Sequence, residues 1–295
     1  MKPNPFIRIS VALAGSVLFL LAAASARAAA TISATNRYAY AANAGWIDCR
    51  ADGTNGLVIG EFVCSNSIWS ANVGWISLGG GKPTNGAYYS NASSNDWGVN
   101  NLGDGRLRGY AYGANIGWIN FETNGDPRIN LLTGNLSGYA YGANIGWISL
   151  SNAQAYVRTD TVVPGADTDG DGIPDAWEML YATNLTTFTA TSDTDGDGVS
   201  DRNEYFADTN PQDPNDNLAL AVINISGAST RDLTWKSRPT RFYRIDSSTN
   251  LLTGTWTDSG LGLQNPDPGA TTLRTVTTAQ TQSLFRVKAV RPFAP

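Results

Sequence analysis

Between Asp167 and Glu204 the chain carries one 12-residue pattern twice, as DTDGDGIPDAWE and as DTDGDGVSDRNE. Acids fall at positions 1, 3, 5, 9 and 12 of each copy. They are Asp167, Asp169, Asp171, Asp175 and Glu178, then Asp193, Asp195, Asp197, Asp201 and Glu204. Carboxylates packed this closely repel one another unless a cation sits among them. Hard oxygen ligands in this number suit calcium, which takes roughly six to eight. Positions 1, 3 and 5 can converge on one ion as the loop curls, and Gly172 and Gly198 permit the sharp turn. The backbone carbonyls of Ile173 and Val199 would add an oxygen, and the Glu at the last position is long enough to bind through both of its own. The copies start 26 residues apart and agree in their first six residues, so two ions are expected. A merely solvated acidic loop has no reason to repeat both the Gly and the closing Glu.

These loops resemble the EF-hand calcium loop, and more closely the thrombospondin type 3 repeats of bacterial secreted surface proteins. The apolar residue of each loop sits at position 7 and Asp at position 9, as in those repeats. The stretch before Asp167 reads TVVPGA, where Pro164 and Gly165 argue against an entering helix. A helix leaving the first loop is expected through AWEMLYA, and the second loop continues into NEYFADTNPQDPND. The resemblance covers about Asp167 to Asp216. It implies ion binding in a structural role rather than an opening switch, at calcium concentrations of roughly 0.1–1 mM.

The compartment follows from the other end of the chain. Lys2 and Arg8 precede an apolar run from Val11 to Ala26, and small-x-small sites end near Ala28 and Ala30. That predicts a signal peptide over residues 1–30 and export to the periplasm, the cell surface or the medium of a bacterium. No second apolar stretch of spanning length follows, so the mature chain is expected to lack a membrane span. The two cysteines, Cys49 and Cys64, fit an oxidising compartment and one local disulfide. Histidine is absent, which removes Ser-His-Asp and Cys-His catalysis, His-based zinc sites and histidine switches.

Residues 31–151 repeat. The copies read YAYAANAGWIDC, SIWSANVGWISL, YAYGANIGWINF and YAYGANIGWISL. Their marker residues are Trp46, Trp75, Trp118 and Trp147, spaced 29, 43 and 29 residues apart. The long interval holds an inserted GGGKPTNGAYYSNASSND. Each unit reads as strand, Asn-x-Gly turn and strand, because Asn and Gly tolerate the positive φ of a hairpin reversal. Alternation puts Ile47, Ile76, Ile119 and Ile148 on one face as core and each Trp on a more polar face. Cys49 and Cys64 both fall in apolar columns. The copies resemble GW-motif repeats of secreted bacterial surface proteins. Two readings of the Trp face stay open: stacking on sugar rings, or packing between stacked units.

Residues 152–166 read as a connector. Residues 217–295 carry some six short β-rich runs separated by turn residues, as expected for a small antiparallel sandwich. The stretch RFYRIDSSTNLLTGTW resembles a fibronectin type III-like module, with Trp235, Tyr243, Ile245 and Trp256 as core candidates. The fold class is therefore mainly β: a repeated β-hairpin domain, a central calcium-loop segment (167–216) with short helices, and a C-terminal β-sandwich.

Charge separates along the chain. Residues 154–216 hold only Arg158 and Arg202 as bases, whereas residues 217–295 hold nine bases against four acids. The acidic middle would repel nucleic acid, and the basic charges are scattered as on a solvated face. The expected function is that of an exported calcium-binding structural or adhesive protein with a calcium-stabilised spacer between two β modules. Cell-surface polysaccharide or other envelope proteins are the expected partners. The alternative is a carbohydrate-binding protein using the Trp/Tyr/Asn face. An enzyme is not expected: Asp48, Asp52, Glu61, Asp96, Asp104, Glu122 and Asp126, the acids of the first 150 residues, form no recognisable constellation.

Overall fold

The computed structural model describes residues 29–250, 254–278 and 283–293. The expected signal peptide, residues 1–30, lies outside the described residues apart from Ala29 and Ala30. Among the described residues no helix is long and apolar enough to cross a membrane.

The four repeats fold as four hairpins. They are β1 (Ile32–Ala41) with β2 (Gly45–Asp48), β5 (Ser67–Ser70) with β6 (Gly74–Ser77), β8 (Leu107–Gly113) with β9 (Gly117–Asn120), and β12 (Tyr139–Gly142) with β13 (Gly146–Ser149). Short strands fill the intervals: β3 (Val58–Ile59) pairs with β4 (Cys64–Ser65), β7 (Val99–Asn101) pairs with β8, and β10 (Arg128–Ile129) pairs with β11 (Leu136–Ser137). Each hairpin joins the next through β2–β5, β6–β8 and β9–β12, and β13 returns to β1. The eight strands thus close into an antiparallel barrel, which leaves no open edge between repeats. The expected connector is not free chain: it contributes β14 (Val157–Thr159), which pairs with β1.

The barrel interior follows from the strand alternation. Ile47, Ile76, Ile119 and Ile148 are all buried and face Ala39, Ile68, Ala111 and Ala140 across their hairpins. Pairing a small residue with a large one in three of the four hairpins fits a narrow barrel. The turn Gly takes positive φ in every copy: Gly45, Gly74, Gly117 and Gly146 lie between 72° and 85°. The turn Asn does something else. Asn72 Nδ2 donates to the Ala44 carbonyl at 2.9 Å, Asn115 to Val73 at 3.1 Å and Asn144 to Ile116 at 3.0 Å. At the closing join the Asn43 backbone N–H donates to the Ile145 carbonyl at 3.1 Å. The Asn side chain is therefore the latch at the other three joins.

The disulfide is not formed: Cys49 and Cys64 are free, buried thiols. Each fills its own place in the apolar interior as a small hydrophobe. Burial pushes both thiols up to about 12, which holds them in the unreactive protonated form.

Two short helices follow the Asp-rich loops, α1 (Asp175–Tyr181) and α2 (Asp201–Ala207). The chain ends in two three-stranded antiparallel sheets. One is ordered β15 (Leu220–Gly227), β16 (Thr230–Lys236), β19 (Thr271–Thr277); the other is β18 (Thr257–Gln264), β17 (Phe242–Ser248), β20 (Leu284–Val290). Leu233, Trp235, Tyr243, Ile245 and Val276 form their core. Trp256, expected there, instead lies half-buried with the Arg286 guanidinium 4.5 Å from its ring centre.

Candidate metal centre

Each loop is shaped by its own first acid. Asp167 accepts from the amides of Gly170 at 2.8 Å and Gly172 at 2.9 Å. Asp193 accepts from Gly196 and Gly198, both at 2.9 Å. These bonds need the chain to curl at positions 4 and 6, and Gly170, Gly172, Gly196 and Gly198 all take positive φ there. The curl gathers one carboxylate oxygen from each of Asp167, Asp169 and Asp171 to within 4.8 Å of one another, and does the same for Asp193, Asp195 and Asp197.

The closing acids come from the helices. Glu178 on α1 and Glu204 on α2 are both fully buried. Neither Glu178 oxygen accepts a hydrogen bond, and Glu204 Oε2 accepts none either; Glu204 Oε1 accepts from Thr209 at 3.2 Å. Buried oxygens of Asp171, Asp195 and Asp197 are likewise unpartnered. Burial, reinforced by the neighbouring Asp residues, pushes the Glu178 carboxyl up to about 7 and that of Glu204 up to about 8. Burial also raises Asp171 and Asp195. Unpaired buried carboxylate oxygens are costly, and here they are concentrated beside two Asp triads. The donor set is all oxygen, so it fits a hard divalent cation.

Asp175 and Asp201 sit at the loop margins with a different task. Asp175 accepts from the Thr168 amide at 2.7 Å and its hydroxyl at 2.6 Å. Asp201, fully buried, accepts both groups of Thr194 at 2.9 Å and the Ser192 hydroxyl at 2.5 Å. They clasp each loop to its helix. Of the two residues whose carbonyls are candidate ligands, Ile173 buries its side chain in the core between the helices and Val199 is half-buried.

The two loops touch. A Cβ on Gly172 would meet the Arg202 guanidinium at 2.8 Å, so a base of the second copy lies against the first. Ile173, Trp177, Phe188 and Tyr205 pack together with Phe62 from the barrel domain. Tyr205, next to Glu204, donates its hydroxyl to Glu61 at 2.7 Å, and Arg291 Nη1 donates to the same carboxylate at 3.1 Å. Arg241 donates to the carbonyls of Phe206 at 2.8 Å and Tyr205 at 2.9 Å. The expected free-standing spacer is thus packed between its neighbours. Glu61, Tyr205, Arg241 and Arg291 carry no local sequence signal, since they meet only through the fold. The clasping Thr168 and Thr194 were visible as repeated position-2 residues.

The expected glycan face is elsewhere. Trp46, Trp75, Trp118 and Trp147 point outward from the barrel and remain 45–48% exposed. Each lies against the aromatic residue opposite it on its own hairpin, with ring centres about 5 Å apart: Tyr40–Trp46, Trp69–Trp75, Tyr112–Trp118 and Tyr141–Trp147. Each therefore has an aromatic partner within its own hairpin.

Residues 167–184 and 193–214 match the family model of the bacterial TSP3 repeat. The match coincides with the two Asp triads and their helices, so this segment resembles a pair of thrombospondin type 3 repeats, with two Asp groups able to hold metal ions. Searches of curated proteins and of solved structures return no match.

Proposed function

We propose that this is an exported, non-enzymatic bacterial protein of the cell surface or periplasm, in which two calcium ions order residues 167–216 as a keystone between two β modules. The observation that carries it is the Glu178 carboxylate, fully buried with both oxygens unpartnered and near enough to Asp169, Asp171 and Asp167 for their charges to act on it. Asp167, Asp169, Asp171, the Ile173 carbonyl and Glu178 would hold one ion, and Asp193, Asp195, Asp197, the Val199 carbonyl and Glu204 the other. Asp175 and Asp201 complete the loops from the rim. Calcium neutralises the carboxylate cluster, and its binding is coupled to the folding of the segment. Ordering α2 then places Tyr205 against Glu61 and presents its last carbonyls to Arg241. The role is structural and suits an adhesive surface protein whose partners are envelope proteins or polysaccharide.

Small-angle scattering of the mature chain tests this. The radius of gyration is expected to grow when calcium is replaced by chelator; equal values in both would count against a keystone. A second reading, carbohydrate binding, is favoured by the outward exposure of all four repeat tryptophans.

A further inference from the structure

The four outward tryptophans are not equivalent. The insertion within the long interval folds back over the third hairpin and places Trp97 against Trp118, with ring centres 5.0 Å apart and planes at 86°. The two indoles make a right-angled corner. Beside it opens a cleft of about 490 Å³ lined by Asn91, Ser93, Ser94, Trp97, Tyr110 and Trp118. None of the other three repeat tryptophans has a second aromatic residue from an insertion laid across it in this way.

The corner is held in place. The Gly80 amide donates to the Trp97 carbonyl at 2.9 Å, and a Cβ on Gly80 would collide with the Trp97 ring. Asn91 Oδ1 accepts from the Gly98 backbone N–H at 3.0 Å, and the Asn91 backbone N–H donates to the Asp96 backbone carbonyl at 3.0 Å. Asp96 is buried and accepts from the Thr84 hydroxyl at 2.7 Å and the Ser90 amide at 3.2 Å, so its charge is spent inside the loop. Below it, Asn100 and the Tyr89 backbone exchange two hydrogen bonds of 2.9 Å. A loop this internally bonded presents its outer groups in a fixed arrangement.

We propose that the Trp97–Trp118 corner is a binding site for a neutral saccharide, a deepening that rests on the carbohydrate-binding reading. The volume lies within the range of roughly 300–1,000 Å³ usual for small-ligand sites. A pyranose ring has an apolar C–H face and a rim of hydroxyls, and the cleft offers both counterparts. Two indole surfaces receive the face, while the Ser93 and Ser94 hydroxyls and the Tyr110 phenol can donate to or accept from the rim. No charged residue lines the cleft, which favours an uncharged sugar over an anionic one. The insertion that breaks the regularity of the repeats is what builds the site.

The test uses the full mature chain with calcium and a panel of soluble neutral hexose and N-acetylhexosamine oligosaccharides, titrated by tryptophan fluorescence. At least one is expected to bind. Trp97→Ala and Trp118→Ala should each weaken it about tenfold or more. Trp46→Ala, at the matching position of the first hairpin, should change it less than about twofold. Because Trp97→Ala can loosen the insertion, Ser94→Arg serves as a second variant: it fills the rim from an exposed position and should block binding without lowering the melting temperature. Binding that survives both Trp97→Ala and Ser94→Arg but is lost in Trp46→Ala overturns the corner as the site and leaves the carbohydrate reading standing. No binding to any oligosaccharide, or occupation of the corner by a proline-rich peptide instead, overturns both.

Discussion

Glu178 and Glu204 concentrate the chemistry of the metal centre into two side chains. Each is buried, each carries unpartnered oxygens, and each is pushed far above the ordinary carboxylate value of 4.5, to about 7 and about 8. The sign of the pH effect follows. Between 4.5 and these raised values the calcium-free folded chain holds protons that the unfolded chain has released. Stability without calcium should therefore fall as pH rises through that window and level off above about 8. Calcium must displace the same protons, so its apparent affinity should fall as pH drops below about 7. Thermal melts in chelator and calcium titrations, both across pH, check the two slopes; a chelator melt that rises with pH would contradict the burial of these groups. Glu204→Gln keeps the shape, removes the charge and should weaken calcium binding at that site by about tenfold or more. At this scale the two Asp triads were readable because the pattern occurs twice. The clasping role of Asp175 and Asp201 was not, since an acid at a ligand-like position looks the same whether it faces an ion or a threonine.

The hairpin is the element on which stability should be measured. Its two faces differ sharply: Ile119 is 1% exposed inside the barrel, whereas Trp118, its neighbour, is 46% exposed outside. Ile119→Ala should cost about 2–5 kcal/mol, because it empties a closed interior. Trp118→Ala should cost about 1–3 kcal/mol, the order of its two close aromatic pairs, with Tyr112 and with Trp97. Denaturant unfolding of the two variants reads the difference, and a larger loss from Trp118 would mean that the outer face, not the inner, holds the repeats. Asn144→Ala removes one latch between hairpins and should cost about 0.5–1.5 kcal/mol by the same measurement. Strand, turn and inward column were legible in the period of two and in the Gly of each turn. Closure was not, because it depends on Tyr40 meeting Ser149 across the whole length of the repeats. The cysteines misled for a related reason: a small apolar residue and half a disulfide are written with the same letter, and only the packing separates them.

On the scale of the whole molecule the three segments meet at one carboxylate. Glu61 of the barrel domain receives Tyr205 of the metal segment and Arg291 of the C-terminal module, and Arg241 binds the end of α2. Arg241 is 6% exposed, so Arg241→Ala would leave two carbonyls without their donor in a largely buried place. Limited proteolysis should then cut between the metal segment and the C-terminal module even in calcium, while the barrel resists. Loss of the barrel as well would mean that the junction supports more than it joins. Such a junction is invisible to any reading that takes the chain segment by segment, because Glu61 and Arg291 are 230 residues apart. Through it, calcium should stabilise more than its own loops. At a tenfold excess over Kd each site adds about 1.4 kcal/mol, or roughly 3–6 °C for a cooperative unit of this size. All of this depends on the loops holding calcium, and calorimetric titration of the full mature chain addresses that directly. Two calcium ions should bind per chain, with magnesium much weaker because it prefers a smaller shell that retains water. A stoichiometry near zero, or a magnesium response equal to that of calcium, would contradict it.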